Sequence, residues 1–186
     1  LRKHLELDSA TMYCTFVGRL TQIKRPDRLL DIAAAMVKRE VPIHFLVAGE
    51  GELFESSKSR AASEKLPVTF LGWRKDIDEL FAASDIAILT SDNEGIPLTL
   101  IQAAFAGIPI VATKVGSIAD IVVDGETGFL TSPQPGAMAS ALSALVTDED
   151  LRYELGSVGR AHAERYFSLE KSLSDHSSLY EFSQNK

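Results

Sequence analysis

The sequence predicts an α/β protein built on a doubly wound parallel sheet of about six strands, with extra helices toward its C-terminal end. Three observations predict it. Short apolar runs alternate with amphipathic stretches through the first two thirds of the chain. Strand–helix–strand repeats of this length make right-handed units and a parallel sheet covered on both faces. After Pro133 the alternation stops, and helical stretches follow with no strand between them.

The predicted strands are 12–17, 43–48, 68–71, 86–90, 110–112 and 128–131. The first helix, 26–39, opens with proline in its first turn. Its Leu29, Ile32, Ala33, Met36 and Val37 recur at helical spacing and give one apolar face. Further helices are predicted at 52–64, 75–83, 97–106 and 117–123. Helix 97–106 is nearly all apolar apart from Gln102, so it is expected to be buried. Asp124-Gly125-Glu126-Thr127-Gly128 reads as a turn. The terminal helices, 136–146, 150–165 and 169–182, are expected to pack on one edge of the sheet or to reach toward something outside it. With no internal repeat and no dividing linker, the pattern is that of one Rossmann-like domain.

A chain of 186 residues can bury a sizeable core. Its net charge of −7 argues against nucleic acid or an anionic membrane as the main partner. It leaves room for a small anion in a local basic site. Cys14 is the only cysteine, so no internal disulfide is expected and a reducing compartment is the default. Its apolar surroundings mark it as a packed core residue. No apolar run is long enough to span a bilayer, and there is no signal-peptide pattern. The first residue is Leu rather than Met, as expected for part of a longer chain.

In a doubly wound sheet, ligands bind outside the carboxyl ends of the strands, so the loops there hold the candidates. After the first strand, Gly18 permits a sharp turn, and Arg19 and Lys24 follow at a helix start. Cations there are unfavourable for the helix dipole alone. They fit either an anion such as a diphosphate or a solvated basic loop paired with surface acids. Gly49-Glu50-Gly51 lacks the third glycine of a dinucleotide fingerprint and reads as a tight turn. Trp73 and Arg74 follow the third strand, beside a base or at the sheet edge. After the fourth strand come Glu94 and Gly95, then Pro97 at a helix start, where free N–H groups can meet phosphate or sugar oxygens. Glu94 would repel a phosphate, so it suits sugar hydroxyls beside one, or simply favours the helix dipole. Gln102, as a buried amide, needs partners, either backbone groups or ligand hydroxyls. Asp76-Ile77-Asp78 and Asp148-Glu149-Asp150 read as helix-start acids rather than metal ligands. His4, His44, His162 and His176 do not cluster in sequence, and no Ser-His-Asp or Cys-His arrangement emerges. No metal site is expected.

Several segments occur together in order: Phe16-Val17-Gly18-Arg19-Leu20 with Lys24; Phe70-Leu71-Gly72; Asp85-Ile86-Ala87-Ile88-Leu89; Ser91-Asp92-Asn93-Glu94-Gly95-Ile96-Pro97; Ala106-Gly107-Ile108-Pro109-Ile110-Val111-Ala112-Thr113; and Asp124-Gly125-Glu126-Thr127-Gly128-Phe129-Leu130. Over nearly the whole chain they resemble the C-terminal, donor-binding half of GT-B glycosyltransferases, nearest to the family 4 retaining enzymes. The resemblance implies roles. Arg19 and Lys24 would hold the donor diphosphate and stabilise the leaving nucleotide, doing the work a metal does elsewhere. Glu94 matches the first acid of the family's E-x7-E motif, which contacts the transferred sugar, so Glu94, Arg19 and Lys24 are the expected catalytic residues. Gly18, Trp73, Arg74, Gly95, Ile96, Pro97, Leu98 and Gln102 would complete the donor site. Gln102 stands where the second motif acid takes the ribose hydroxyls. An amide offers one acceptor oxygen and an NH2 donor, so the exchange gives up about 1 kcal/mol or more of charge-assisted bonding. Asp120, where Glu is common, is a milder departure.

The resemblance further implies no cofactor beyond the donor substrate, a nucleotide diphosphate sugar, with UDP first by family frequency. The acceptor glycan or lipid would bind through a preceding N-terminal domain that this sequence does not contain, so the fragment alone would be inactive. Metal-independent transfer in polysaccharide or glycolipid synthesis is expected. So is a cytoplasmic location, with peripheral association of the full-length enzyme at the inner membrane face left open. Two other readings are a regulatory binding module, in which Gln102 marks a decayed donor site, and half of a sugar-nucleotide epimerase.

Overall fold

The computed structural model describes residues 2, 7, 8, 10–171 and 173. The strands are β1 (Met12–Val17), β2 (Ile43–Ala48), β3 (Val68–Gly72), β4 (Ile86–Leu89), β5 (Ile110–Thr113) and β6 (Gly128–Thr131). They form one parallel sheet in the order β3-β2-β1-β4-β5-β6. The helices are α1 (Pro26–Lys38), α2 (Phe54–Ser63), α3 (Ile77–Ala82), α4 (Leu98–Phe105), α5 (Pro135–Thr147) and α6 (Glu149–Tyr166). Each predicted strand forms, with ends shifted by no more than a residue.

The inner strands are buried on both faces, which is why they read as near-continuous apolar runs rather than alternating ones. α1 packs beside α2 and α5 on one face, and α3, α4 and α6 line the other. Phe16, Phe45, Ile32 and Met36 are fully buried between β1, β2 and α1. Cys14 lies in the same core. Its thiol is pushed well above the usual range, first by burial and then by the nearby Asp85 charge, as befits an inert packed residue.

Two expectations need correction. Residues 117–123 form only a short 3-10 turn, Ile118–Asp120. Ile118, Ile121 and Val122 are all buried at once, and the Asp124–Gly128 turn follows directly, leaving no length for a second helical turn. In α1, Val37 is half exposed while Arg28 is buried, so the inward face is rotated toward Arg28. The terminal helices do pack at one edge of the sheet, as expected, but from its two faces: α5 lies against α1, β5 and β6, and α6 against α4, α5 and β6. Helix 169–182 is helical at 169–171 and 173, and the rest lies outside the described residues. Among the described residues, no helix is long and apolar enough to cross a membrane.

What positions the site is the docking of neighbouring loops. Beyond β1 and β2 the chains stay zipped: Leu20 N donates to Glu50 O (2.9 Å) and Leu53 N to Leu20 O (3.0 Å). Gly49, at φ +138°, permits this, because a Cβ there would sit 1.9 Å from Gly18 O. Gly49-Glu50-Gly51 is therefore a contact surface for the β1 loop as well as a turn.

Gly49→Ala should thus lower stability by at least about 2 kcal/mol, combining backbone strain with a clash against main chain. Urea unfolding measures it, and a loss below about 0.5 kcal/mol would show that the loops are free to separate.

Candidate functional site

The strand order reverses direction between β1 and β4, so the loops that follow these two strands diverge and leave a crevice at the carboxyl edge. The chain bridges the base of this crevice with side chains. Thr90 Oγ1 donates to Lys24 O (2.8 Å), and Arg28 Nη1 donates to Thr90 O (2.5 Å). Arg28 Nη2 and Arg25 Nη1 both reach Asp92, at 2.6 and 2.9 Å. Asp92 N donates back to Ile23 O (2.8 Å). From the far side, Thr113 Oγ1 at the end of β5 donates to Ser91 O (2.6 Å). Buried hydroxyls and a buried guanidinium thus fix both loops, and among the described residues no buried side-chain polar atom is left without a partner.

On this base sit Lys24 and Glu94. Lys24 Nζ donates to Glu94 Oε1 at 2.5 Å, and Ser91 Oγ donates to the same oxygen at 2.5 Å. The Glu94 side chain is 8 % exposed and that of Lys24 24 %, so their attraction is only partly screened. Among the described residues no group donates to Glu94 Oε2. No buried side-chain polar atom lacks a partner, so Oε2 opens to the crevice. The Glu94 main chain is pinned by Gly116, at φ +52°, where a Cβ would lie 1.8 Å from Glu94 O. The Lys24 stem passes over Gly18, its Cδ 4.0 Å from where a Cβ would be.

A cavity of about 480 Å³ lies beside this pair across the ends of β1, β2 and β3. Gly18, Arg19, Gly49, Trp73, Arg74 and Ile77 are among its lining residues. Arg19 is exposed and pairs with no acid among the described residues. Trp73 is 69 % exposed, a flat apolar face turned to solvent rather than packed at the sheet edge. Arg74 is held by Asp76 through Nε (3.0 Å) and Nη2, and that guanidinium keeps the Asp76 carboxyl below the usual range. Asp148 caps α6, accepting from Leu151 N at 2.9 Å, so both Asp-x-Asp segments have structural partners. Among the described residues no three His, Cys, Asp or Glu side chains gather as metal ligands.

The loop after β4 departs from expectation in one respect. Helix α4 buries only Leu100, Ala103 and Ala104. Gln102 is exposed, with no side-chain partner among the described residues, so it is not a buried amide. Ile96 and Leu98 are 58 % and 71 % exposed, and Gly95 has no atom within 4 Å of where its Cβ would be. The physical reason is phase: α4 turns its small residues inward against the sheet and α6, which leaves Leu98 and Gln102, four apart, on the outer side. Pro97 is buried and precedes the helix as its N-cap, so the Leu98 and Thr99 amides keep no intrahelical partner.

Sequence reasoning missed Arg25, Arg28, Thr90, Asp92 and Gly116. The one available signal was Arg28, four residues before Ile32 on the inward face of α1. It also missed a second open cavity of about 560 Å³, lined by Gln22, Ile23, Arg25, Asp27, Leu53 and Asp92. Arg25 stands at φ +53°, a strained setting for a non-glycine residue, and is held there by Asp27 and Asp92.

Fold and crevice define a class: a doubly wound α/β domain with a charged, glycine-lined crevice at the switch point of its sheet. The sequence matches the glycosyl transferases group 1 family over residues 1–162. A D-inositol 3-phosphate glycosyltransferase of Corynebacterium urealyticum is 32 % identical over 177 residues, 89 % of this chain and 42 % of the relative. N-acetyl-alpha-D-glucosaminyl L-malate synthase of Bacillus anthracis is 27 % identical over 185 residues, 97 % of this chain and 48 % of the relative. The solved structure of Anabaena Alr3699/HepE in complex with UDP-glucose aligns with a TM-score of 0.87 at 25 % identity, covering 97 % of this chain and 51 % of that one. The C-terminal domain of a glycosyl transferase group 1 family protein (LpcC) from Francisella tularensis aligns with a TM-score of 0.76 at 23 % identity, covering 85 % and 87 %. This chain belongs to the glycosyl transferases group 1 family, and its fold is that of a GT-B C-terminal domain. It spans less than half the length of these two curated relatives.

Partial burial pushes the Asp92 carboxyl up, but hydrogen bonds from Arg28 and then Arg25 outweigh it and leave it below the usual range. A carboxyl depressed in the folded state adds stability above its unfolded pKa, and that stability is lost as pH falls through the folded value. Asp92→Asn should therefore cost up to about 1 kcal/mol at neutral pH. The gap to wild type should close in acid, below the ordinary carboxylate range, in urea unfolding across pH. A gap that stays constant with pH would remove the charge from the account.

Proposed function

We propose that this chain is the nucleotide-sugar donor-binding half of a glycosyltransferase. The observation that carries the reading is the juxtaposition of Lys24 and Glu94 at the switch point beside a cavity lined by Gly18, Arg19, Trp73 and Arg74. A cation with free N–H groups nearby suits a diphosphate. A carboxylate with one oxygen open suits hydroxyls of the attached sugar. A glycine-walled cavity carrying an exposed indole suits a base and ribose. The family membership and the UDP-glucose complex of the Anabaena relative support UDP as the first nucleotide to test.

In the complete enzyme, Arg19 and Lys24 would oppose the charge that develops on the leaving diphosphate, and Glu94 would orient the sugar. Main-chain groups of Gly95 to Leu98, including the N–H of Leu98 that lacks an intrahelical partner, would lie along the sugar and phosphate. Exposed Ile96 and Leu98 would meet substrate or the preceding acceptor domain. That domain would supply the acceptor glycan or lipid, so transfer, its retaining stereochemistry and any contact with a membrane surface belong to the full-length protein. The donor is the only small molecule required, with no metal.

A second reading is favoured by one observation, Gln102 exposed and unpartnered where the family carries an acid. In this reading the donor site has lost affinity and the domain serves as a binding or regulatory module.

Calorimetric titration of the chain with UDP, GDP and ADP and their glucose esters tests the first reading. It expects saturable binding of one base, and absence of binding by all of them would reject it. Arg19→Ala should weaken the diphosphate about tenfold while leaving the nucleoside nearly unchanged. Equal losses for both would misplace Arg19. Gln102→Glu should alter affinity for the ribonucleotide and not for its 2′,3′-dideoxy analogue. The same change for both would make Gln102 a bystander.

A further inference from the structure

We infer that Glu94 is the internal counter-ion of the diphosphate site and makes the site prefer a sugar-bearing nucleotide over the free nucleoside diphosphate; this rests on the donor-binding reading above. Lys24 already has a counter-ion within the chain: its ammonium sits 2.5 Å from Glu94 Oε1, and Ser91 Oγ holds the same oxygen. Arg25 and Arg28 are committed to Asp27, Asp92 and the Thr90 carbonyl, so neither can replace Lys24. A diphosphate that recruits Lys24 must therefore draw it off a carboxylate only 8 % exposed.

The two ligands leave Glu94 in different states. A sugar ester brings hydroxyls, which donate to the carboxylate and replace the lost ammonium contact. A free nucleoside diphosphate has no sugar on its terminal phosphate and so brings no hydroxyl to that end of the site. Its terminal phosphate is free to ionise a second time, to a total of about −1.5 to −2 at pH 7, next to a largely buried carboxylate that retains only Ser91. Removing one partner of such a pair is more costly than the pair itself is favourable. The same residue that recognises the sugar thus penalises the spent nucleotide, and product leaves a site from which donor does not. Ser91 and the Gly116 contact keep Glu94 in place throughout, so the discrimination arises from exchange of partners rather than from loop movement.

The experiment is a calorimetric comparison of wild type and Glu94→Gln, using the nucleoside diphosphate and glucose ester that wild type binds best among the UDP, GDP and ADP pairs. The inference expects Glu94→Gln to bind the free diphosphate about 3- to 10-fold more tightly and to bring the ester-to-diphosphate affinity ratio close to one. Unchanged or weaker binding of the diphosphate would overturn the inference while leaving the donor-site reading intact. Absence of binding by wild type to every nucleotide in the panel would overturn that reading and this inference with it. A measurement on unaltered protein guards against a folding defect in the variant: the Lys24 ammonium resonance in ¹⁵N NMR. It should shift when the diphosphate saturates the site, and an unmoved resonance at saturation would contradict partner exchange.

Discussion

The side-chain bridge that joins Arg28 to Thr90 and Asp92 is the contact on which the crevice, and the Lys24–Glu94 ion pair set in it, depends. Strands β1 and β4 are neighbours in the sheet, yet their following loops lead to helices on opposite faces. Nothing in sheet hydrogen bonding holds two such loops at a fixed distance. Side chains do so instead, and the molecule invests its least common features there: a buried arginine, buried threonine hydroxyls and a non-glycine residue at positive φ. With those in place, a cation from one loop and a carboxylate from the other meet at a defined separation. A ligand with a negative part and a hydroxylated part can then address both.

Close main-chain approach performs the complementary task on either side of the pair. Gly49 lets the β2 loop lie on the β1 loop, and Gly116 lets the β5 loop lie on Glu94. Four loops thereby become one rigid rim. Much of the wall so formed is glycine backbone, and Arg19, Glu50 and Arg74 line the cavity together with it and Trp73. The large apolar side chains left outside, Ile96 and Leu98, lie on the same rim.

The fold was legible in the sequence because burial on both faces makes the inner strands near-continuous apolar runs, and the edge strands β3 and β6, though only partly buried, keep short apolar runs of their own. Helix α1 was legible from Pro26 and its period, except that periodicity ranks Arg28 as polar and assigns it outward. Its true partner, the carbonyl of Thr90, lies 62 residues away and leaves no trace in a local window. The same limit explains Asp92 and Gly116. For Gln102 the failure was of another kind. An apolar composition was equated with burial, whereas the apolar residues Ile96 and Leu98 are exposed with it at the rim. The candidate residues that sequence grouped by chemistry do fall around one crevice, but as two subgroups: Gly18, Arg19, Trp73 and Arg74 at the cavity, and Lys24 with Glu94 at the switch point.

The measurement that tests the central claim most directly is a crystal structure of the chain with the nucleotide sugar selected by titration. The account predicts Lys24 Nζ on a diphosphate oxygen and Glu94 accepting from a sugar hydroxyl, with Arg28, Thr90 and Asp92 unmoved. A structure in which Lys24 stays on Glu94 while the diphosphate binds elsewhere would contradict it.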